Sequence, residues 1–310
     1  MNASLASGIE SGISVLATAL FDWSLALATG SLLAAHWLHP RPAAGEPCPR
    51  VPLLSTRPAA ILMVLALCSQ FYLLVATMTG QAAPADVLSA APLVATTHAG
   101  RVALTTLGVA LLLLLANLLK PLQTSPVPAL LVALILTLHS ATGHAAVEGD
   151  FSRAELLQLL HLSGMALWTG GVIVSGLFVV PRLLRGQLPS SAASRPPVDK
   201  AYLQALSIVS TYAVAVVLLT GAYKGWTGLD RHLSGLLHTG WGRILLLKLA
   251  FVAIALGLGA LHRRWIHQHD RAWTPQQTKT LLTTLRVEAA SLMLVIVLSA
   301  WLASVDPTES

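Results

Sequence analysis

The sequence predicts an all-α integral membrane protein, a bundle of eight transmembrane helices that forms a single membrane domain. Three observations lead to this fold class. Of 310 residues, 55% are hydrophobic and 10% are charged, and the mean hydropathy is +0.71. A soluble domain carries about 25% charged residues because its surface faces water. The apolar residues fall into runs long enough to cross a bilayer, and the basic residues lie in alternate loops between them.

Eight apolar runs reach or approach the length of roughly 20 residues that a membrane-spanning helix requires. A backbone in lipid must satisfy its own hydrogen bonds, so these runs are predicted to be helices. The alternation of apolar and polar residues that marks the strands of a membrane barrel is absent. The predicted spans are residues 13–36, 59–80, 96–119, 127–146, 154–180, 201–224, 241–262 and 281–304.

The distribution of lysine and arginine predicts the orientation of these spans. The loops after the first, third, fifth and seventh spans are basic, whereas loop 81–95 on the other side has no basic residue. Short basic loops stay in the cytoplasm. The sequence therefore predicts a multi-pass protein of a bacterial inner membrane with both termini in the periplasm. The basic pI near 9.7 is explained by these loops, so nucleic acid is not an expected partner.

Matching motifs indicate an internal repeat, with one four-helix unit at 13–146 and a second at 154–304. Thr79-Gly80 ends the second span and Thr220-Gly221 ends the sixth. Gly100-Arg101 and Gly242-Arg243 open the third and seventh spans. Each unit has an even number of spans, so the copies should insert in parallel, related by a pseudo-two-fold axis along the membrane normal.

Histidines placed near the outer ends of the spans indicate a metal site. His139 and His161 are expected at similar depth on neighbouring antiparallel helices, and Met165 follows His161 on the same helix face. Ionisable groups within a membrane need partners and mark functional sites. Imidazoles with a thioether suit copper, as Cu(I) or Cu(II). The alternative is that each histidine bonds a hydroxyl or carbonyl of a neighbouring helix. The candidate metal ligands are His98, His139, His144, His161 and Met165.

Two further alternatives remain open at this stage. His139 and His161 could be axial ligands of a b-type haem in a protein that transfers electrons or reduces Cu(II) or quinone. The chain could also be a membrane chaperone that holds copper for another protein. No Walker A motif is present, so ATP-driven pumping is not expected, and no catalytic residues are assigned. Lys248 and Glu288, charged residues within the spans, are predicted to pair with each other.

Several motifs resemble the copper resistance protein D (CopD/PcoD) family. They are Gly143-His144-Ala145-Ala146, Leu160-His161-Leu162, Ala166-Leu167-Trp168-Thr169-Gly170-Gly171, Leu219-Thr220-Gly221-Ala222-Tyr223, Gly240-Trp241-Gly242-Arg243 and Leu285-Arg286-Val287-Glu288-Ala289. The resemblance implies an eight-span inner-membrane protein that takes part in copper import, homeostasis and resistance. It implies a periplasmic copper-binding partner of the CopC type. It also implies His144 and His161 as ligands, with Trp168 and Gly170-Gly171 as packing elements.

Overall fold

The structure is a computed structural model that describes residues 3–38, 56–80, 87–123, 125–142, 152–185, 200–228, 235–268 and 274–305. These residues are almost entirely helical, and no strand occurs among them, which confirms the predicted all-α class. The helices are α1 (Ala3–His36), α2 (Thr56–Thr79), α3 (Val87–Val94), α4 (His98–Leu118), α5 (Lys120–Gln123), α6 (Val127–Ser140), α7 (Arg153–Val174), α8 (Val180–Leu184), α9 (Lys200–Gly228), α10 (Gly235–His238), α11 (Gly240–Gln268) and α12 (Pro275–Ser304).

Seven of the described helices are long and apolar enough to cross a membrane, so the chain is a multi-pass membrane protein. They correspond to seven of the eight predicted spans, with ends that differ by a few residues. The fourth predicted span, 127–146, differs because its described helix, α6, has 14 residues. At 1.5 Å per residue, α6 is about 20 Å long, shorter than the roughly 30 Å hydrocarbon layer. Residues 143–151 lie outside the described residues.

The long helices pack as two groups that meet at α1 and α7. In the first group α1 contacts α2, α2 contacts α4, α4 contacts α6, and α6 returns to α1. In the second group α7, α9, α11 and α12 are neighbours in the same cyclic order. Between the groups, α1 packs along α7 and also contacts α12, whereas α7 also contacts α6.

Glycines allow α1 and α7 to approach each other at backbone distance. A Cβ atom on Gly30 would lie 2.0 Å from the carbonyl oxygen of Gly170, and one on Gly170 would lie 2.1 Å from that of Ala26. Small residues at a membrane helix interface permit such contact, and van der Waals packing then holds the helices together. Gly170 therefore has the packing role that the family resemblance implies.

A single turn of π-helix, Ser175–Val179, separates α7 from α8. Pro181 follows it, and a proline inside a helix lacks an N–H and clashes with the carbonyl one turn earlier. A wider turn relieves that clash, so α7 and α8 continue as one span, Arg153–Leu184. The Ser175 hydroxyl in this turn lies 2.8 Å from the Tyr202 hydroxyl of α9, with both side chains buried.

The repeat motifs form similar hydrogen bonds in both groups. Thr97 caps α4 by accepting from the Gly100 N–H at 3.0 Å, and Thr239 accepts from the Gly242 N–H at 2.9 Å beside the start of α11. Thr79 and Thr220 each donate their hydroxyl to the carbonyl four residues earlier. The Gly-Arg motifs therefore have matching caps. The Thr-Gly motifs differ, because Thr79-Gly80 ends α2 with Gly80 at a φ of 68°, whereas Thr220-Gly221 lies inside α9, which continues to Gly228.

Candidate metal site

Polar side chains from α1, α6, α7, α9 and α11 lie in one half of the apolar bundle, called here the outer half from the predicted orientation. On the α1–α6 side, His139 Nε2 lies 3.3 Å from Asp22 Oδ1, and the two side chains are 21% and 23% exposed. The Phe21 ring meets the His139 imidazole edge-on, with ring centroids 4.8 Å apart. An N–H facing a carboxylate donates to it, so in the neutral His139 ring Nδ1 carries the lone pair.

His161 on α7 is oriented by a threonine on α9. Its Nδ1 lies 2.9 Å from Thr220 Oγ1. The Thr220 hydroxyl donates its hydrogen to the Val216 carbonyl at 2.6 Å, so the hydroxyl accepts from His161 Nδ1–H. In the neutral imidazole the lone pair is then on Nε2, the nitrogen that a metal would take. This second interaction of the ring is how proteins commonly fix the tautomer of a metal-binding histidine.

Gly221 brings α9 close to the imidazole. A Cβ atom at Gly221 would lie 3.3 Å from His161 Cε1, which is tighter than most side-chain contacts. The Thr220-Gly221 pair was identified from the sequence as part of a repeat, not as a partner of His161. The signal that could have revealed it was depth, because Thr220 and His161 lie equally far from the outer ends of their helices.

Two lysines lie near enough to His161 to act on it electrostatically, Lys224 on α9 and Lys248 on α11. Lys224 also donates a hydrogen bond to Gln158 on α7. The Asp22 carboxylate interacts electrostatically with Lys248 and opposes the charge of the two ammonium groups. The outer half therefore contains charges of both signs. A cation bound at His161 would be repelled by the two lysines and attracted by Asp22.

The other predicted ligands have different positions. His98 lies at the exposed start of α4, with Nε2 3.3 Å from the Ala141 carbonyl oxygen. Met165 lies one turn deeper than His161 and packs against the apolar core that includes Trp168. His144 lies outside the described residues.

Among the residues that the structure describes, no group of three or more His, Cys, Asp or Glu side chains is arranged to hold a metal ion. The described chain instead brings together pairs: His139 with Asp22, and His161 with Thr220. The predicted ligand set of His98, His139, His144, His161 and Met165 stays a prediction.

The inner half of the bundle contains a pair that the sequence analysis missed. His262 Nδ1 on α11 lies 2.9 Å from Glu288 Oε2 on α12, and the side chains are 8% and 4% exposed. The predicted Lys248–Glu288 pair is therefore wrong, because Glu288 takes His262 as its partner. Gly259 permits this arrangement, since a Cβ there would come within 3.3 Å of Glu288 Oε1.

Comparison with known families and proteins adds to these observations. Residues 9–154 match the family profile described as copper resistance protein D-like, N-terminal domain. Residues 200–302 match the profile described as copper resistance protein D. Most of α7, which carries His161, lies between the two matched regions.

Two curated relatives have names that refer to copper. Copper transport protein CutJ of Bacillus subtilis (strain 168) is 30% identical over 128 residues, which cover 41% of this chain and 22% of that protein. Copper resistance protein D of Pseudomonas syringae pv. tomato is 23% identical over 201 residues, which cover 62% of each chain. The aligned region is thus less than two thirds of either relative. No solved structure matches.

The two matching profiles together cover most of the sequence, and the predicted resemblance is confirmed. The all-helical membrane bundle and the order of the motifs agree with it. The chain belongs to the copper resistance protein D family.

Proposed function

We propose that this protein binds copper and carries it across the bacterial inner membrane without ATP hydrolysis, as part of copper import, homeostasis and resistance. The observation that carries the proposal is the orientation of His161, whose Nδ1–H is held by Thr220 so that Nε2 can bind a metal. The names of the two relatives, a copper transport protein and a copper resistance protein, support copper as the substrate.

Copper would enter at the outer half, with His161 as the central ligand. His139, predicted from the sequence to lie at similar depth, is backed by Asp22, as a carboxylate commonly backs a metal-binding histidine. His98 lies at the start of α4 on the same side. Met165 lies one turn below His161 with a thioether suited to Cu(I). To bind one ion, His139 and His161 would have to move closer together from their present pairs with Asp22 and Thr220. His144, which follows α6 in the sequence, would be a further ligand.

The neighbouring lysines favour release over tight storage. Lys224 and Lys248 act on His161 with positive charge, which weakens the binding of any cation there. Asp22 partly offsets them through Lys248. A carrier must bind its substrate strongly enough to capture it and weakly enough to let it go, and this arrangement of charges fits that requirement.

We also propose that the chain crosses the membrane eight times. We infer that α6 with the residues after it forms the fourth of eight crossings, since α6 packs beside α4 and α7 as a crossing helix would. The cyclic contacts of the two helix groups and their matching caps support a parallel 4+4 repeat. Both termini would then be periplasmic, where a CopC-type protein could deliver copper.

Copper uptake into proteoliposomes tests the function directly. Purified protein in vesicles should accumulate copper above the level of protein-free vesicles, with no ATP present, when copper is offered as Cu(I) with ascorbate or as Cu(II). Copper retained by the protein with no accumulation in the lumen would favour the chaperone alternative. No binding and no uptake in either oxidation state would contradict the proposal.

The Thr220 hydroxyl is expected to control the copper affinity of His161. Thr220→Val removes the group that fixes the imidazole tautomer, so copper affinity should fall by about 10–100-fold. Thr79→Val is the matched control, because Thr79 occupies the equivalent position in α2 and its hydroxyl bonds to carbonyls of its own helix. Isothermal titration or a competing copper chelator measures the affinity. Equal affinities in the two variants would remove Thr220 from the site.

The alternative of a b-type haem between His139 and His161 finds no support in the structure or in the relatives' names. Absorption spectroscopy of the purified protein tests it. A Soret band with sharp bands in the reduced state would revive it, and we expect neither.

A further inference from the structure

A cavity of about 250 Å³ lies in the inner half of the second helix group, between α9 and the α11–α12 pair, with α7 at its back. Its walls are mostly apolar, including Trp168 and Val172 of α7. The polar groups on its lining are few and come from three helices: Ser207, Ser210, Thr211, His262, Arg263 and Glu288. A largely apolar space with a small number of convergent polar groups is the usual form of a binding site.

The hydrogen bonds around His262 define how many protons it holds. Its Nε2 lies 2.8 Å from Thr284 Oγ1, and that hydroxyl lies 3.0 Å from the Thr280 carbonyl oxygen. A carbonyl can only accept, so the hydroxyl donates to Thr280 and accepts from His262 Nε2–H. On the other side, His262 Nδ1 and Glu288 Oε2 are 2.9 Å apart and share a single proton, whichever of the two atoms carries it.

Loss of the shared proton would change the charge of the cavity. The lone pairs of Nδ1 and Oε2 would then face each other, and a buried carboxylate would remain without its counter-charge, which is costly in a low dielectric. A metal cation that enters the cavity would supply that counter-charge in place of the proton. Proton binding and cation binding at this place therefore oppose each other through ordinary electrostatic linkage.

Among the residues that the structure describes, few other charges face the pair. Arg263 lines the same cavity and donates to Thr211 Oγ1 at 2.6 Å, so its positive charge is held at the cavity wall. From α9 the lining residues are uncharged, and α7 contributes Trp168 and Val172. On α12, Arg286 is exposed and points away from the buried face that carries Glu288.

Ser210 provides a second, independent indication that the cavity takes a polar occupant. Its hydroxyl is buried and has no hydrogen-bond partner within the part of the chain that the structure describes. A buried hydroxyl left unpaired loses its hydrogen bond to water without replacement, so it normally finds a partner. A water molecule or hydrated ion in the cavity would supply one, and it would also connect the His262–Glu288 pair to solvent.

From this geometry we propose that the His262–Glu288 pair is a proton-binding site that exchanges its proton for the copper ion passing through the inner cavity. When the ion enters the cavity, the shared proton leaves the pair by way of cavity water. When the ion leaves, a proton returns, and the charge of the cavity is restored in each half of the cycle. Copper influx would then be coupled to proton efflux. This inference rests on the proposed copper transport.

Vesicles that report both ions test the coupling. The protein is reconstituted with a pH-sensitive dye in the lumen, and the membrane potential is clamped with potassium and valinomycin. Addition of copper should raise the lumenal pH as copper accumulates. An imposed pH gradient, acidic inside, should accelerate uptake. Copper accumulation without any pH change or gradient response would overturn the inference and leave the proposed transport intact, whereas absence of accumulation would count against transport itself.

Glu288→Gln assigns the coupling to this pair. The amide keeps the size of the side chain and can still hydrogen bond to His262, but it has no exchangeable carboxyl proton. The variant should lose the lumenal pH change and the acceleration by a gradient. Ser291→Ala is the matched control, because Ser291 lies on α12 and its hydroxyl bonds to the carbonyl of Val287 on the same helix. A Glu288→Gln protein that folds, as judged by its elution and melting temperature, and still couples the two ions would overturn the assignment.

Discussion

Replacement of His161 by alanine should reduce the initial rate of copper uptake into proteoliposomes by at least about tenfold, the effect of losing about 1.4 kcal/mol of copper binding. The reason is that the variant removes Nε2, the ring nitrogen left available when Nδ1 donates to Thr220. The double variant His144→Ala plus His161→Ala should bring uptake to the level of protein-free vesicles. Uptake is measured by metal analysis of vesicles separated from free copper.

His267→Ala is the control for this experiment. His267 is exposed near the end of α11, on the opposite side of the membrane from His161, so its loss should leave the rate unchanged. Since His161 is half-buried between α7 and α9, His161→Gln serves as a second variant that retains more volume. If the double variant kept the uptake of the unaltered protein, the assignment of the site would be wrong, even though the transport itself would stand.

The spans could be predicted from sequence because a membrane imposes a requirement that composition reveals. Run 59–80 contains no charged residue and run 241–262 contains two, and a backbone in lipid has no stable alternative to the helix. The prediction was weaker at 127–146, where α6 is shorter than the apolar run suggested. Composition indicates which residues tolerate lipid, but it does not say where a helix stops, and the described helix ends at Ser140, before Gly143.

The partners of the polar residues were harder to predict. His161 and His139 stood out as ionisable groups in apolar runs, but Thr220 is an ordinary residue whose role depends on how α7 and α9 are rotated against each other. Rotation about the helix axis is determined by packing, which apolar runs without a strong amphipathic pattern do not reveal. The incorrect pairing of Lys248 with Glu288 has a different cause, an error in estimated depth. Glu288 lies at the level of His262, and Lys248 is about 21 Å away from His262 along α11.

The close crossing of α1 and α7 predicts the largest effect on stability. Gly30→Ala or Gly170→Ala would place a Cβ about 2 Å from a backbone oxygen of the other helix, so the two backbones must separate. Overpacking of this kind usually costs about 1–3 kcal/mol, and more where only backbone can move. We expect a clearly lower melting temperature in detergent. Fluorescence-detected size-exclusion chromatography of heated samples measures it.

Gly108→Ala separates this effect from the general consequences of replacing a glycine in a membrane helix. Gly108 lies inside α4 with no atom within 4 Å of its Cβ position, so alanine there should keep or raise stability, by up to about 1 kcal/mol from helix propensity. Because α1 carries Asp22 and α7 carries His161, separation of these helices should also weaken copper binding in the two crossing variants. Equal melting temperatures for Gly108→Ala and Gly170→Ala would mean that α1 and α7 do not meet at backbone distance. The position of Asp22 and His139 relative to His161 would then also be wrong, because it depends on this crossing.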